Sequence, residues 1–218
     1  MVAPAAPRAA DARLTWIVGG SLLLATVVIE AVLMSVPMGF SAVAATTSSA
    51  AFSAALLVFA FGIRRAGSVT HRRPLGTTAI TVLALWTLLS PLLSELLYTP
   101  GPDSPALFAY GYADALIQAL ASLIAVAQIG RIGVIPHPWR WAPAWVLAAT
   151  AVPTLLTQTF VFGDAFRDPG LLSAVVALQG LVHVGGTILL GVLALVLAER
   201  MRRPRTVPVF RGQDSSAS

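Results

Sequence analysis

The sequence predicts an all-α polytopic membrane protein, a six-transmembrane-helix bundle of up-and-down topology with both termini in the cytoplasm. Three observations predict it. The chain of 218 residues is 57% hydrophobic and only 11% charged, whereas soluble domains carry roughly 45–50% apolar and about 25% charged residues. Six runs reach the length of about 20 apolar residues that a helix needs to cross a hydrocarbon core of about 30 Å. With six spans, 13 of the 14 arginines fall on one side of the membrane and only Arg167 on the other, the asymmetry of cytoplasmic loops.

The first span, 15 to 36, follows a short tail (1–14) with Arg8 and Arg13 and contains Thr26 and Glu30. Arg13, the apolar stretch and Ala42-Val43-Ala44 resemble the parts of a signal peptide. A run of about 22 residues is too long for that, and Glu30 within it suits a retained span better. The second, 42 to 63, is thinned by Ser41, Thr46, Thr47, Ser48, Ser49 and Ser53. Hydroxyls in a membrane helix bond back to their own backbone, and without this span the arginines would scatter over both faces. Its small residues at a spacing of four, Ala44 with Ser48 and Ala51 with Ala55, allow close helix contact.

The third span, 77 to 98, carries Trp86, Pro91 and Glu95; the fourth, 110 to 130, carries Asp114 and Gln118. The fifth, 142 to 162, carries Pro153 and Gln158, and the sixth, 171 to 198, carries Gln179 and His183. Each internal proline removes a backbone donor and favours a kink. The basic tail 199–218, with Pro204, Pro208 and a serine-rich end, is expected to be disordered. The longest cytoplasmic loop, Arg64 to Gly76, has 13 residues, too few for a further domain. Trp16, Trp139, Trp141 and Trp145 lie at cytoplasmic ends and Tyr98, Tyr110 and Tyr112 at outer ends, as amphipathic rings favour. Trp86 is the one tryptophan inside a span.

Polar positions recur at intervals near 65: Glu30, Glu95 and Gln158; Ser49, Asp114 and Gln179; Ser53, Gln118 and His183. Three successive hairpins would explain this, and so would any six-helix up-and-down bundle of this length.

Composition removes much chemistry. Without Cys there is no disulfide, thiolate nucleophile or zinc-thiolate site, and without Lys no Schiff base or Walker lysine. His71 and His137 lie in cytoplasmic loops, so a lone intramembrane His183 can build neither paired haem ligation nor a metal cluster. No cofactor or metal is expected. No nucleic acid is expected either, because a net charge of +5 needs a folded aqueous domain with a basic face to bind it.

An intramembrane charge costs about 2.5–3.5 kcal/mol on insertion scales, so each needs a partner or water. Thr26 with Glu30, Asp114 with Gln118 and Ser122, Thr150 with Thr154 and Gln158, and Gln179 with His183 and Thr187 all repeat at a spacing of four. That spacing puts each set on one helix face, and lipid drives such faces together. The expected site is a polar pocket open to the extracytoplasmic side, lined by Glu30, Glu95, Asp114, Gln118, Gln158, Gln179 and His183, with Glu30, Asp114 and His183 as a proton-exchanging set. Snorkelling to water competes with this for Glu95 and Asp114, and helix-to-helix bonding competes for the Gln and Thr stripes.

Three functions fit such a site. In the leading one, an inner-membrane protein binds or transports a small solute or amphiphile. The alternatives are a membrane-embedded acid/base enzyme acting on a lipid or isoprenoid and an accessory subunit of a membrane complex. Expected partners are the bilayer, a small-molecule or lipid ligand, and a second membrane subunit or a further copy of the chain.

Overall fold

A computed structural model describes residues 5–34, 41–70, 73–97, 105–132, 139–161 and 169–201, without side chains for part of the helix ends. Among these residues there are six α-helices and no strand: α1 (Ala5–Met34), α2 (Ser41–Phe61), α3 (Pro74–Leu97), α4 (Pro105–Ile132), α5 (Ala142–Val161) and α6 (Pro169–Arg200). Four contain stretches long and apolar enough to cross a membrane, Ala10–Val32, Pro74–Leu97, Ala109–Arg131 and Ser173–Arg200. Shorter apolar stretches occupy Thr46–Phe61 in α2 and Ala142–Val152 in α5. Large apolar side chains stay exposed along the bundle, among them Val28, Val82, Leu116 and Leu181. A water-soluble protein rarely leaves so many uncovered, and together with the apolar helices they mark an integral membrane protein.

Two helices outrun the apolar spans. The polar first turns of α1 start at Ala5, ten residues before the span expected from residue 15, and α6 runs through Arg200. Alanine has the highest helix propensity, and residues 5–14 of the expected tail are helical and continuous with the first span. Of the 199–218 tail, Met201 is the last residue described.

Each helix packs on its sequence neighbour, and α6 closes back on α1; among the described residues the α4–α5 contact is the thinnest of the ring. Two apolar clusters hold it. Trp16, Val69, Ile129, Ala142, Leu193, Ala194, Leu197 and Ala198 form one, with Phe59 packed against it. Ala60, Ala79, Ile80 and Ala125 form the other. The first gathers the starts of α1 and α5 with the ends of α2, α4 and α6, and the second the start of α3 with the ends of α2 and α4. This is the arginine-rich end. Towards the other end burial fades, and α6 from Ser173 to Leu181 is exposed on nearly every described side chain.

The α2–α3 connection explains why this end is tight. Thr15, fully buried, accepts the Ile63 N–H at 2.8 Å and lies 2.8 Å from the Ala66 carbonyl and 3.0 Å from that of Asp11. Its single proton is shared between the two carbonyls. Ser68 donates to the Ala60 carbonyl at 2.6 Å, and Thr70 meets Ser68 and Thr77 at 3.2 and 2.9 Å. Ser68, Val69 and Thr70 are buried; a buried loop survives only with its polar groups satisfied, and these hydroxyls do that. Gly67 stands at φ +74°, where a Cβ would come within 2.8 Å of the Ala12 backbone. Arg13 pairs with Glu199 at 3.7 Å and Arg64 with Asp11 at 3.5 Å. In each pair one partner, Glu199 or Arg64, is well exposed, and solvent screening keeps the contribution small.

Candidate functional site

The open end holds two polar clusters. In the first, α1, α2 and α6 meet: the Ser48 hydroxyl donates to Glu30 Oε1 at 2.7 Å, and His183 Nε2 lies 3.9 Å from the same oxygen. The second distance is too long for a hydrogen bond but within ion-pair reach. The His183 side chain is 52% exposed and that of Glu30 27%, so the pair sits at an accessible wall rather than in the core. Ser48 is buried and fixes the carboxylate from the α2 side.

In the second cluster, α3 and α4 surround one carboxylate. Asp114 Oδ1 accepts the indole N–H of Trp86 at 2.7 Å and the hydroxyl of Ser90 at 2.8 Å. The Gln118 amide straddles both Asp114 oxygens at 3.0 and 2.9 Å. The Tyr110 hydroxyl lies 2.8 Å from both the carbonyl and the hydroxyl oxygen of Ser90, so a chain of donors runs from Tyr110 through Ser90 to Asp114. Every donor to Asp114 is neutral. Pro91, inside α3, lacks an N–H and leaves the Thr87 carbonyl without its intrahelical donor.

The two clusters share a level. Glu30 is 14 residues from Trp16, Ser48 12 from Ala60, Ser90 11 from Ala79, Asp114 15 from Ile129 and His183 14 from Leu197, the second of each pair lying in the packed clusters. At about 1.5 Å per residue these groups form a layer roughly 16–22 Å above the packed end. His183 lies at the midpoint of its own long span, yet it comes level with Glu30 because α6 extends further outward than α1.

Of the seven expected site residues, Glu30 is brought to His183, and Asp114 to Gln118. No hydrogen bond or ion pair joins the two pairs among the described residues. Glu95 and Gln179 are exposed, one turn or more beyond the layer. The side chain of Gln158 lies outside the described residues. Among the described hydroxyls of the expected stripes, Thr26 donates to the Leu22 carbonyl, Thr150 to those of Val146 and Leu147, and Thr187 to that of His183. Ser53, like Ser48 and Ser90, crosses to a neighbouring helix, donating to the Ala84 carbonyl of α3 at 2.8 Å.

Sequence reasoning did not single out Trp86, Ser90, Tyr110 and Ser48 as partners of the carboxylates. For Trp86 a signal existed: an intramembrane indole needs an acceptor for its N–H. Among the described residues no group of three or more His, Asp or Glu side chains could hold a metal. Compared with protein-family models, with curated proteins and with solved structures, the chain matches none.

Proposed function

We propose that this protein is a six-span membrane protein, both termini cytoplasmic, whose outward-facing polar layer binds or carries a small solute or amphiphile. One observation carries the reading: five polar side chains from five helices, Glu30, Ser48, Ser90, Asp114 and His183, stand at one level of a bundle that is tightly packed only at the opposite, arginine-rich end. Helices α2 and α5, with 21 and 20 residues, are each about 30 Å long, which matches a hydrocarbon core. Counting them as spans puts the arginines at one face. In this reading Glu30 with His183 is the proton-exchanging pair, Asp114 with Gln118 is the fixed recognition element, and the thin α4–α5 contact is the natural place for the bundle to widen.

An acid/base enzyme would need Glu30 and Asp114 to act on one substrate as a pair. Each is instead bonded within its own helix group, which favours binding over catalysis.

The test is ligand-induced stabilisation of the purified protein in detergent against a panel of small organic cations, anions and neutral solutes. Saturating a site at about 100 times Kd stabilises the folded state by about 2.7 kcal/mol, a readily measured rise in Tm. Glu30→Gln keeps an acceptor for Ser48 and should fold, yet lose the response. A panel that leaves Tm unchanged throughout, or stabilisation that survives Glu30→Gln and Asp114→Asn alike, contradicts the reading.

A further inference from the structure

Resting on the pocket reading above, we infer that the ligand is a cation, an organic amine or quaternary ammonium with apolar substituents, seated against Asp114 and the rings of Trp86 and Tyr110. Three independent observations point the same way.

The first is the Asp114 site itself. Its carboxylate is held by an indole, a hydroxyl and an amide, none of which neutralises charge, and no basic side chain pairs with it among the described residues. A carboxylate within a membrane span that has no cationic partner of its own attracts a cation from the water that reaches it. The second is aromatic. Trp86 donates its N–H edge to the carboxylate and Tyr110 reaches Ser90, itself a donor to that carboxylate, which places two aromatic side chains in the wall around the same anion. A carboxylate flanked by aromatic rings is the chemistry that recognises alkylammonium groups.

The third is the charge of the whole open end. Among the described residues the acidic side chains there are Glu30, Glu95 and Asp114, and every described arginine lies toward the other end. A mouth of one sign concentrates ligands of the other sign and repels anions. The apolar substituents follow from the same two side chains, since the rings of Trp86 and Tyr110 offer apolar surface beside the anion.

The experiment measures binding of benzyltrimethylammonium to the purified protein and compares it with neopentylbenzene, which has the same shape and no charge, and with phenylacetate, which has the opposite charge. Saturable binding of the cation, with the neutral isostere weaker by about tenfold or more, supports the proposal. So does a loss of about tenfold or more in Asp114→Asn and in Trp86→Leu with Glu199→Gln, at the other end, unchanged. Equal binding of cation and isostere, or unchanged affinity in Asp114→Asn, overturns it, and the comparison of the three probes needs no variant to fold. Saturable binding of phenylacetate or neopentylbenzene but not of the cation overturns the cation assignment while leaving the pocket standing. No saturable binding of any of the three overturns the cation assignment, and the wider panel then decides on the pocket.

Discussion

Thr15 concentrates more of the packed end than any other single side chain. Its hydroxyl is acceptor to one loop N–H and donor between two carbonyls, in a position with no access to solvent. Thr15→Val keeps the shape and removes all of this, leaving the Ile63 N–H and the Ala66 carbonyl unsatisfied; unfolding in detergent should show a loss of about 1–3 kcal/mol. Thr78→Val, which removes only exposed bonds to the Pro74 and Leu75 carbonyls of its own helix, should stay within about 0.5 kcal/mol. At this scale the sequence shows some pairs and hides others. Asp114 with Gln118 was legible because both lie on one helix, four residues apart. Asp114 with Trp86 was not, because that contact depends on the register of α3 against α4, which no spacing within either helix determines. Thr187, on a stripe where helix-to-helix bonding competes, donates to the His183 carbonyl of its own helix, since a short hydroxyl reaches the preceding turn at no cost in helix position.

The helices differ in how closely they approach. Gly20 of α1 faces Gly191 of α6: a Cβ on Gly20 would lie 2.9 Å from the Gly191 carbonyl oxygen, and one on Gly191 would lie 2.9 Å from Leu24 Cγ. Backbones that meet at glycines gain packing no larger residue permits. Gly20→Val should therefore push α1 from α6, loosening the contact that closes the ring and separating Glu30 from His183. Expected are a lower Tm and the loss of any ligand response that depends on Glu30, whereas Gly111→Ala, with nothing within 4 Å of the added carbon, should leave both unchanged. That these helices exist was plain in the sequence, because an apolar run of about 20 residues with at most one charge is the length a bilayer selects and a soluble core seldom does. Their ends were less so: apolarity marks where lipid begins, not where helical hydrogen bonding does, and α1 continues ten residues past that mark.

On the scale of the whole molecule, the bundle is closed by a polar-stitched loop at its basic end and open at its acidic end. The absence of Cys makes this directly testable, since any introduced thiol is the only one. Arg73→Cys, exposed beside the packed end, should react with a membrane-impermeant maleimide in inverted vesicles and not in intact cells; Gly111→Cys should do the reverse. Labelling of both from the same side would contradict the six-span topology. What the sequence could not display at this scale is the asymmetry of packing, because apolar letters at both ends look alike, and only coordinates distinguish those buried on neighbours from those left facing lipid.

The most direct measurement compares Gln118→Cys with Leu116→Cys, two residues apart on α4 at nearly one depth. Gln118 stands beside Asp114 in the polar layer, while Leu116 is an exposed apolar side chain. A thiol ionises and reacts only where water reaches it. In intact cells the impermeant reagent should modify Gln118→Cys and leave Leu116→Cys untouched, and inverted vesicles should modify neither. If Gln118→Cys stays as inert as Leu116→Cys, or reacts from the cytoplasmic side alone, there is no outward-facing polar layer.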